Sequence, residues 1–140
     1  MIRQRQVVTL AIRSDSAGDG HYGAPRGHRT HRGIDYACVV GEPILSPVNG
    51  VITKLGYCYG DDLSWRYVQV TDGDLLHHRL FYVEPLVKVG HVVTNNMVVG
   101  NAQDIGRRYP DKAMTAHIHL EVMTDKGEYV DPGTVINALS

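Results

Sequence analysis

The sequence predicts a mostly β domain of antiparallel strands, with helix confined to short pieces. Two observations lead to it. Short runs rich in Val, Ile, Tyr and Thr recur along the chain, and these residue types fit a pleated, half-buried surface. Fifteen glycines and six prolines punctuate those runs, a density that suits many turns better than long helices.

Taken in order, strands are expected at 6–12 (QVVTLAI), 50–59 (GVITKLGYCY), 65–72 (WRYVQVTD), 75–83 (LLHHRLFYV), 117–124 (HIHLEVMT) and 128–130 (EYV). Asp72-Gly73 falls between two of these runs and reads as a hairpin turn. Asn95-Asn96, between GHVVT and MVVG, reads the same way, because Asn tolerates positive φ. Short helix is expected at 102–109 and 132–139. No repeat, linker or low-complexity tract divides the chain, so residues 1–140 are read as one domain with room for a modest core.

Composition narrows the function classes. With 43% apolar and 21% charged residues the chain is expected to fold. Fourteen basic residues nearly balance fifteen acidic ones, and no basic run interleaves with aromatics. The sequence therefore offers no positive reason to propose a nucleic-acid partner. The apolar stretch near the start, 7–12, is too short for a secretory signal or a membrane span. The reading is a protein without a signal peptide, made in a host cytoplasm. Cys38 and Cys58 are the only cysteines, and they are read as buried, inert thiols, with a disulfide possible but not implied.

Histidine stands out, with eight copies. Two stretches concentrate the chemistry. In MTAHIHLEV, read as a strand, His117, His119 and Glu121 share one face while Ile118, Leu120 and Val122 share the other. This is either a row of ligands turned toward a cleft or an exposed polar face containing two histidines. In RTHRGIDYA, His31 precedes Asp35 by four positions, and Gly33 between them argues against a helix. Imidazole and carboxylate are zinc ligands, and three of them leave a fourth tetrahedral position for chemistry. Two histidines and one carboxylate also match the ligand set of non-heme iron enzymes. Ligand type alone leaves both metals open.

His31-x-x-x-Asp35, followed far downstream by His117-x-His119, resembles the lysostaphin/LytM family of zinc peptidoglycan endopeptidases. The context is similar too: HRGIDYACVVGEPILSPVNGVI, then VKVGHVVTNNMVVG, then AHIHLEV and a closing Asp-Pro, so the resemblance runs from about Gly20 to Pro132. It implies an antiparallel sheet with a groove, of the duplicated-hybrid-motif type. It implies one zinc ion per chain on His31, Asp35 and His119, with His117 as a catalytic histidine. The implied substrate is the peptide crosslinks of bacterial peptidoglycan. Small size and the lack of a signal peptide add the expectation of a bacteriophage protein. It would be an endolysin or a tail-associated virion protein with phage tail partners, acting on the wall from host cytoplasm or virion.

The pattern breaks at one place. The family's second catalytic histidine lies nine residues before the glycine of Val-Lys-Val-Gly, and counting back from Gly90 gives Phe81. His78 is taken as the replacement, on the condition that a bulge shifts it toward the cleft. His77 has the parity of Phe81 but lies four residues, roughly 13 Å, along the strand. His28 is a third candidate. Otherwise Arg79 or Tyr82 assists. Glu121 either orients a ligand or is a solvated carboxylate, and the loop 101–115 is read as a groove wall. The competing function is a wall-binding or virion structural module that keeps the fold without hydrolysis.

Overall fold

The computed structural model describes residues 6–7, 10–15, 18–26 and 29–136. Two small ribbons lead in: β1 (Ser14–Asp15) with β2 (Gly18–Asp19), and β3 (Pro25–Arg26) with β4 (Arg29–Thr30). Next come β5 (Ile34–Ala37), β6 (Pro43–Leu45), β7 (Gly50–Tyr57), β8 (Arg66–Thr71), β9 (His77–Phe81), β10 (Val83–Pro85), β11 (Val92–Val93), β12 (Val98–Ala102), β13 (His117–Met123) and β14 (Tyr129–Val130). The larger sheet runs β11-β7-β8-β9-β13-β14, and β5 also pairs with β13. The smaller runs β10-β12-β6. All pairings are antiparallel.

Strict alternation along β13 builds the core. Ile118, Leu120 and Val122 are fully buried on one face, together with Val68, Val70 and Leu80 from β8 and β9. Ile44, Val83 and Val99 of the smaller sheet belong to the same cluster. Each such side chain contributes about 1.5–3 kcal/mol relative to exposure. The other face of the larger sheet carries the polar and aromatic side chains. There Tyr67, Phe81, His119 and Asp35 form one cross-strand row, because Tyr67 pairs with Phe81, Phe81 with His119, and His119 with Asp35.

Among the described residues helix comes in short pieces, α1 (Pro132–Ile136) and 3-10 turns at Ile105–Arg108 and Pro110–Lys112, while positions 137–139 of the expected second helix lie outside the described residues. Asp72-Gly73 does lie in a hairpin, between β8 and β9, but the loop is closed by Asp72 N–H donating to Leu76 O at 3.0 Å.

Two expectations are corrected. Asn95-Asn96 does not close a hairpin: β11 pairs with β7, whereas β12 pairs with β10 and β6. A turn with Met97 N–H on Thr94 O instead passes the chain from one sheet to the other, so that Val93 and Val99 enter the core from separate layers. Among its described residues the stretch 6–12 forms an isolated bridge from Ile12 to Tyr36 rather than a strand, and Val8 and Thr9 lie outside the described residues. It runs along β5 through Ala37 N–H to Ala11 O and Arg13 N–H to Asp35 O, at 2.6 and 2.7 Å. Among the described residues no helix is long and apolar enough to cross a membrane.

Candidate active site

The site forms where β5 lies against β13. Gly33 makes that approach possible: a Cβ there would sit 2.2 Å from Leu120 O and 2.8 Å from His119 Cε1. The chain just before β5 therefore brings His31 over the His119 ring, centroids 4.8 Å apart. Asp35 Oδ1 lies 2.7 Å from His119 Nδ1, and His31 Nε2 lies 3.0 Å from His119 Nδ1 and 3.3 Å from Asp35 Oδ1. Ligand-capable atoms of His31, Asp35 and His119 all lie within 4.8 Å of one another. The structure thus brings together the three residues that the sequence paired across more than 80 positions.

The remaining polar atoms of the three groups are tied to the protein. His31 Nδ1 donates to His21 O at 3.1 Å, which leaves the Nε2 lone pair turned inward. His119 Nε2 donates to Glu121 Oε1 at 3.0 Å, so Glu121 orients this ring and is not merely a solvated carboxylate. Asp35 Oδ2 accepts from Arg13 Nε at 3.2 Å and lies 3.1 Å from Arg13 Nη2. Outer partners of this kind fix ring orientation and tautomer in metal sites. The donor set, two imidazoles and a carboxylate whose ligand-capable atoms face one another, fits a divalent ion such as zinc.

Burial opposes the charge on Asp35, but hydrogen bonds to His119 and His31 outweigh it and hold the carboxyl far below the usual range. Burial likewise opposes a charged His119 ring; Asp35 and Glu121 nevertheless raise its pKa to about 9. His117 is different. Burial lowers its pKa despite the nearby Asp35, so the ring is neutral at pH 7. Its Nδ1 donates to Thr115 O at 2.8 Å, which leaves Nε2 as a free base 3.8 Å from Asp35 Oδ2.

These residues line a cleft of about 350 Å³, walled by Tyr59, Phe81, Tyr82, Tyr109 and Met114. The loop 101–115 does supply part of the wall, through Tyr109 and Met114. Tyr82 reaches the cleft because its backbone is left-handed, φ 69°, a conformation that costs a non-glycine residue energy and gathers at functional sites. This kink turns consecutive side chains, Phe81 and Tyr82, into the same space. The Tyr82 ring meets His117 edge on, centroids 5.6 Å apart. Its hydroxyl joins a chain with Tyr59 at 3.3 Å and, beyond it, Tyr109 at 2.9 Å. Burial raises the pKa of both Tyr59 and Tyr82, so the phenols remain donors throughout the neutral range.

His78 is a correction. The β9 ladders to β13 and β8 are regular, with His78 opposite Val122 and Val70, so no bulge shifts the register. Its side chain enters the core, fully buried, with Nε2 2.8 Å from Asp72 Oδ2. His77 keeps the parity of Phe81 but binds Thr71 and Asp125. Arg79 lies beside Gln69 and over the Tyr67 ring. His28 lies outside the described residues. Cys58 lines the cleft wall, its thiol pKa pushed up to about 12 by burial, and neither it nor Cys38 is in a disulfide; both are half-buried. Sequence reasoning missed Arg13, Tyr59 and Tyr109. Arg13 stands among small and polar residues with no metal-site spacing, and the tyrosines come from irregular loops.

An antiparallel sheet that presents a His/Asp/His group and a neutral imidazole to an open cleft defines a metallopeptidase type of site. The chain belongs to peptidase family M23, whose model matches residues 29–132. It is 28% identical over 108 residues to the peptidoglycan DD-endopeptidase ShyC of Vibrio cholerae, an alignment covering 76% of this chain. The matched region spans only 23% of that longer relative. Its fold matches the catalytic domain of the antimicrobial peptidase lysostaphin from Staphylococcus simulans, with TM-score 0.69, 19% identity, and coverage of 94% of this chain and 95% of that one. The catalytic domain of the prophage-encoded M23 protein EnpA from Enterococcus faecalis, a variant form, matches with TM-score 0.64 and 21% identity over 89% of each chain.

Proposed function

We propose that this protein is a zinc-dependent endopeptidase that hydrolyses peptide crosslinks of bacterial peptidoglycan. The observation that carries the reading is the convergence of His31, Asp35 and His119 in a cleft beside the neutral His117. Family membership and a relative named as a peptidoglycan DD-endopeptidase support the substrate class. When bound on these three residues, zinc would supply Lewis-acid polarisation of the scissile carbonyl. His117 Nε2 is the base that takes and returns a proton at the reacting bond. Tyr82, with its hydroxyl held protonated in the wall, donates a hydrogen bond to the carbonyl oxygen as charge develops there. Thus Tyr82 replaces His78 in this reading. Phe81 supplies no proton.

We also read the protein as phage-encoded, serving lysis or tail-borne wall penetration; mass spectrometry of purified virions separates those two roles. The second reading, a wall-binding module without hydrolysis, draws on Phe81. Purified cell walls decide between them. Turbidity clearance by zinc-replete protein, with new amino termini in the soluble fragments, supports the peptidase. Wall binding without either signal leaves the binding module.

A further inference from the structure

Arg13 and Asp15 lie outside the stretch matched by the family model, yet both connect to the site. Arg13 is 3% exposed. Its guanidinium faces Asp35 Oδ2 with Nε at 3.2 Å and Nη2 at 3.1 Å, while Nη1 donates to Asp15 Oδ1 at 2.8 Å. The other oxygen of Asp15, Oδ2, accepts the backbone N–H of Thr115 at 2.8 Å. The carbonyl of that same Thr115 accepts the Nδ1 proton of His117. A line of hydrogen bonds therefore runs from Asp35 through Arg13 and Asp15 to Thr115, and from the carbonyl end of Thr115 to the His117 ring.

We propose that the Arg13–Asp15 pair is a positioning clamp that sets the Asp35 carboxylate and the His117 imidazole against each other. Backbone pairing holds the clamp in place: Arg13 N–H donates to Asp35 O, and Gly20 N–H donates to Arg13 O, both at 2.7 Å. Gly20 is needed there, since a Cβ would lie 2.7 Å from Asp35 O and 2.8 Å from Asp35 Cβ. The planar fork of arginine can bond two carboxylates at fixed angles, which the single ammonium of lysine cannot. With Oδ2 engaged by Arg13, the Asp35 carboxylate is fixed so that Oδ1 faces His31 and His119. Asp15 in turn holds the N–H of Thr115, the residue whose carbonyl orients His117.

The inference rests on the proposed roles of Asp35 and His117, and its test separates the two levels. Arg13→Lys keeps the charge and removes the fork. Asp15→Asn keeps the shape but cannot accept from both Arg13 and Thr115. Zinc affinity is measured by competition with a chelator, the His117 Nδ1–H signal by nitrogen-resolved NMR of metal-free protein, and hydrolysis on cell walls per folded molecule. Arg13→Lys is expected to weaken zinc binding roughly 10–100-fold, the usual cost of losing an outer partner of a ligand. Asp15→Asn is expected to lose the protected His117 signal and to lower kcat with KM little changed. Wild-type zinc affinity in Arg13→Lys, or an unchanged His117 signal in Asp15→Asn, overturns the clamp. If wild type itself binds no zinc, the proposed function falls, and the NMR comparison on metal-free protein still decides whether Asp15 orients His117.

Discussion

Phe81 faces His119 directly across the paired strands β9 and β13, its ring edge-to-face with the imidazole at 5.3 Å between centroids. The position opposite this histidine is therefore a packing contact, stacked on its far side against Tyr67 at 5.0 Å. Proton chemistry has to come from elsewhere in the cleft. Phe81→Leu keeps apolar volume and removes the edge-to-face pair. It is expected to cost about 0.5–1.5 kcal/mol of stability, read from denaturant unfolding, with one zinc still bound per chain.

The proposed donor role of the Tyr82 hydroxyl is tested by Tyr82→Phe. The ring stays packed on His117, and only the hydrogen-bond donor is lost. Wall hydrolysis is expected to drop about 10²-fold, the scale for one donor to a developing oxyanion, with zinc content unchanged. Full activity in this variant would remove Tyr82 from the mechanism.

The two histidines of β13 should separate cleanly. His119→Ala removes a proposed zinc ligand, so elemental analysis should show loss of metal, and calorimetry a lower Tm than zinc-replete wild type, because a ligand bound only by the folded state stabilises it. A chelator should lower wild-type Tm in the same direction. His117→Ala should retain the metal and lose hydrolysis by roughly 10²–10⁴-fold. Equal metal loss in both variants would overturn these role assignments.

His78 predicts a pH effect on folding and none on the cleft. Burial lowers its pKa in the folded chain, against the pull of Asp72. The unfolded ring takes up a proton near the ordinary value of about 6.5, while the folded ring remains neutral. More protons bound to the unfolded state means that stability falls as pH drops below about 6.5 toward the folded pKa. Asp72 acts in the same direction at lower pH: burial opposes its charge, but the hydrogen bonds from His78 and the loop amides outweigh this and lower its pKa. Its contribution is present above 3.8 and lost as pH falls through the depressed value. Thermal unfolding of wild type and His78→Gln from pH 7.5 to 5 should show a steeper fall in wild type, with equal activity per folded molecule at pH 7.5.

The sequence by itself determined β7, β8, β9, β13 and β14 and the cleft-facing row of β13, and the motif order marked His31, Asp35 and His119 as a group. Each is written in local periodicity or in motif order: Ile118, Leu120 and Val122 alternate with His117, His119 and Glu121, and Gly33 argues against a helix between His31 and Asp35. It also located the gap, since Phe81 does occupy the place opposite His119. Tertiary structure decided what local pattern cannot encode. The register of β9 against two neighbours sent His78 into the core, because a regular ladder fixes which face each residue takes. The division of Val93 and Val99 between two sheets turned an apparent hairpin into a crossover. Tyr82 entered the cleft through one left-handed residue, and Arg13 reached Asp35 across 22 positions by lying beside β5. Those placements depend on which segments meet in space. Side-chain alternation records only which face of its own strand a residue occupies.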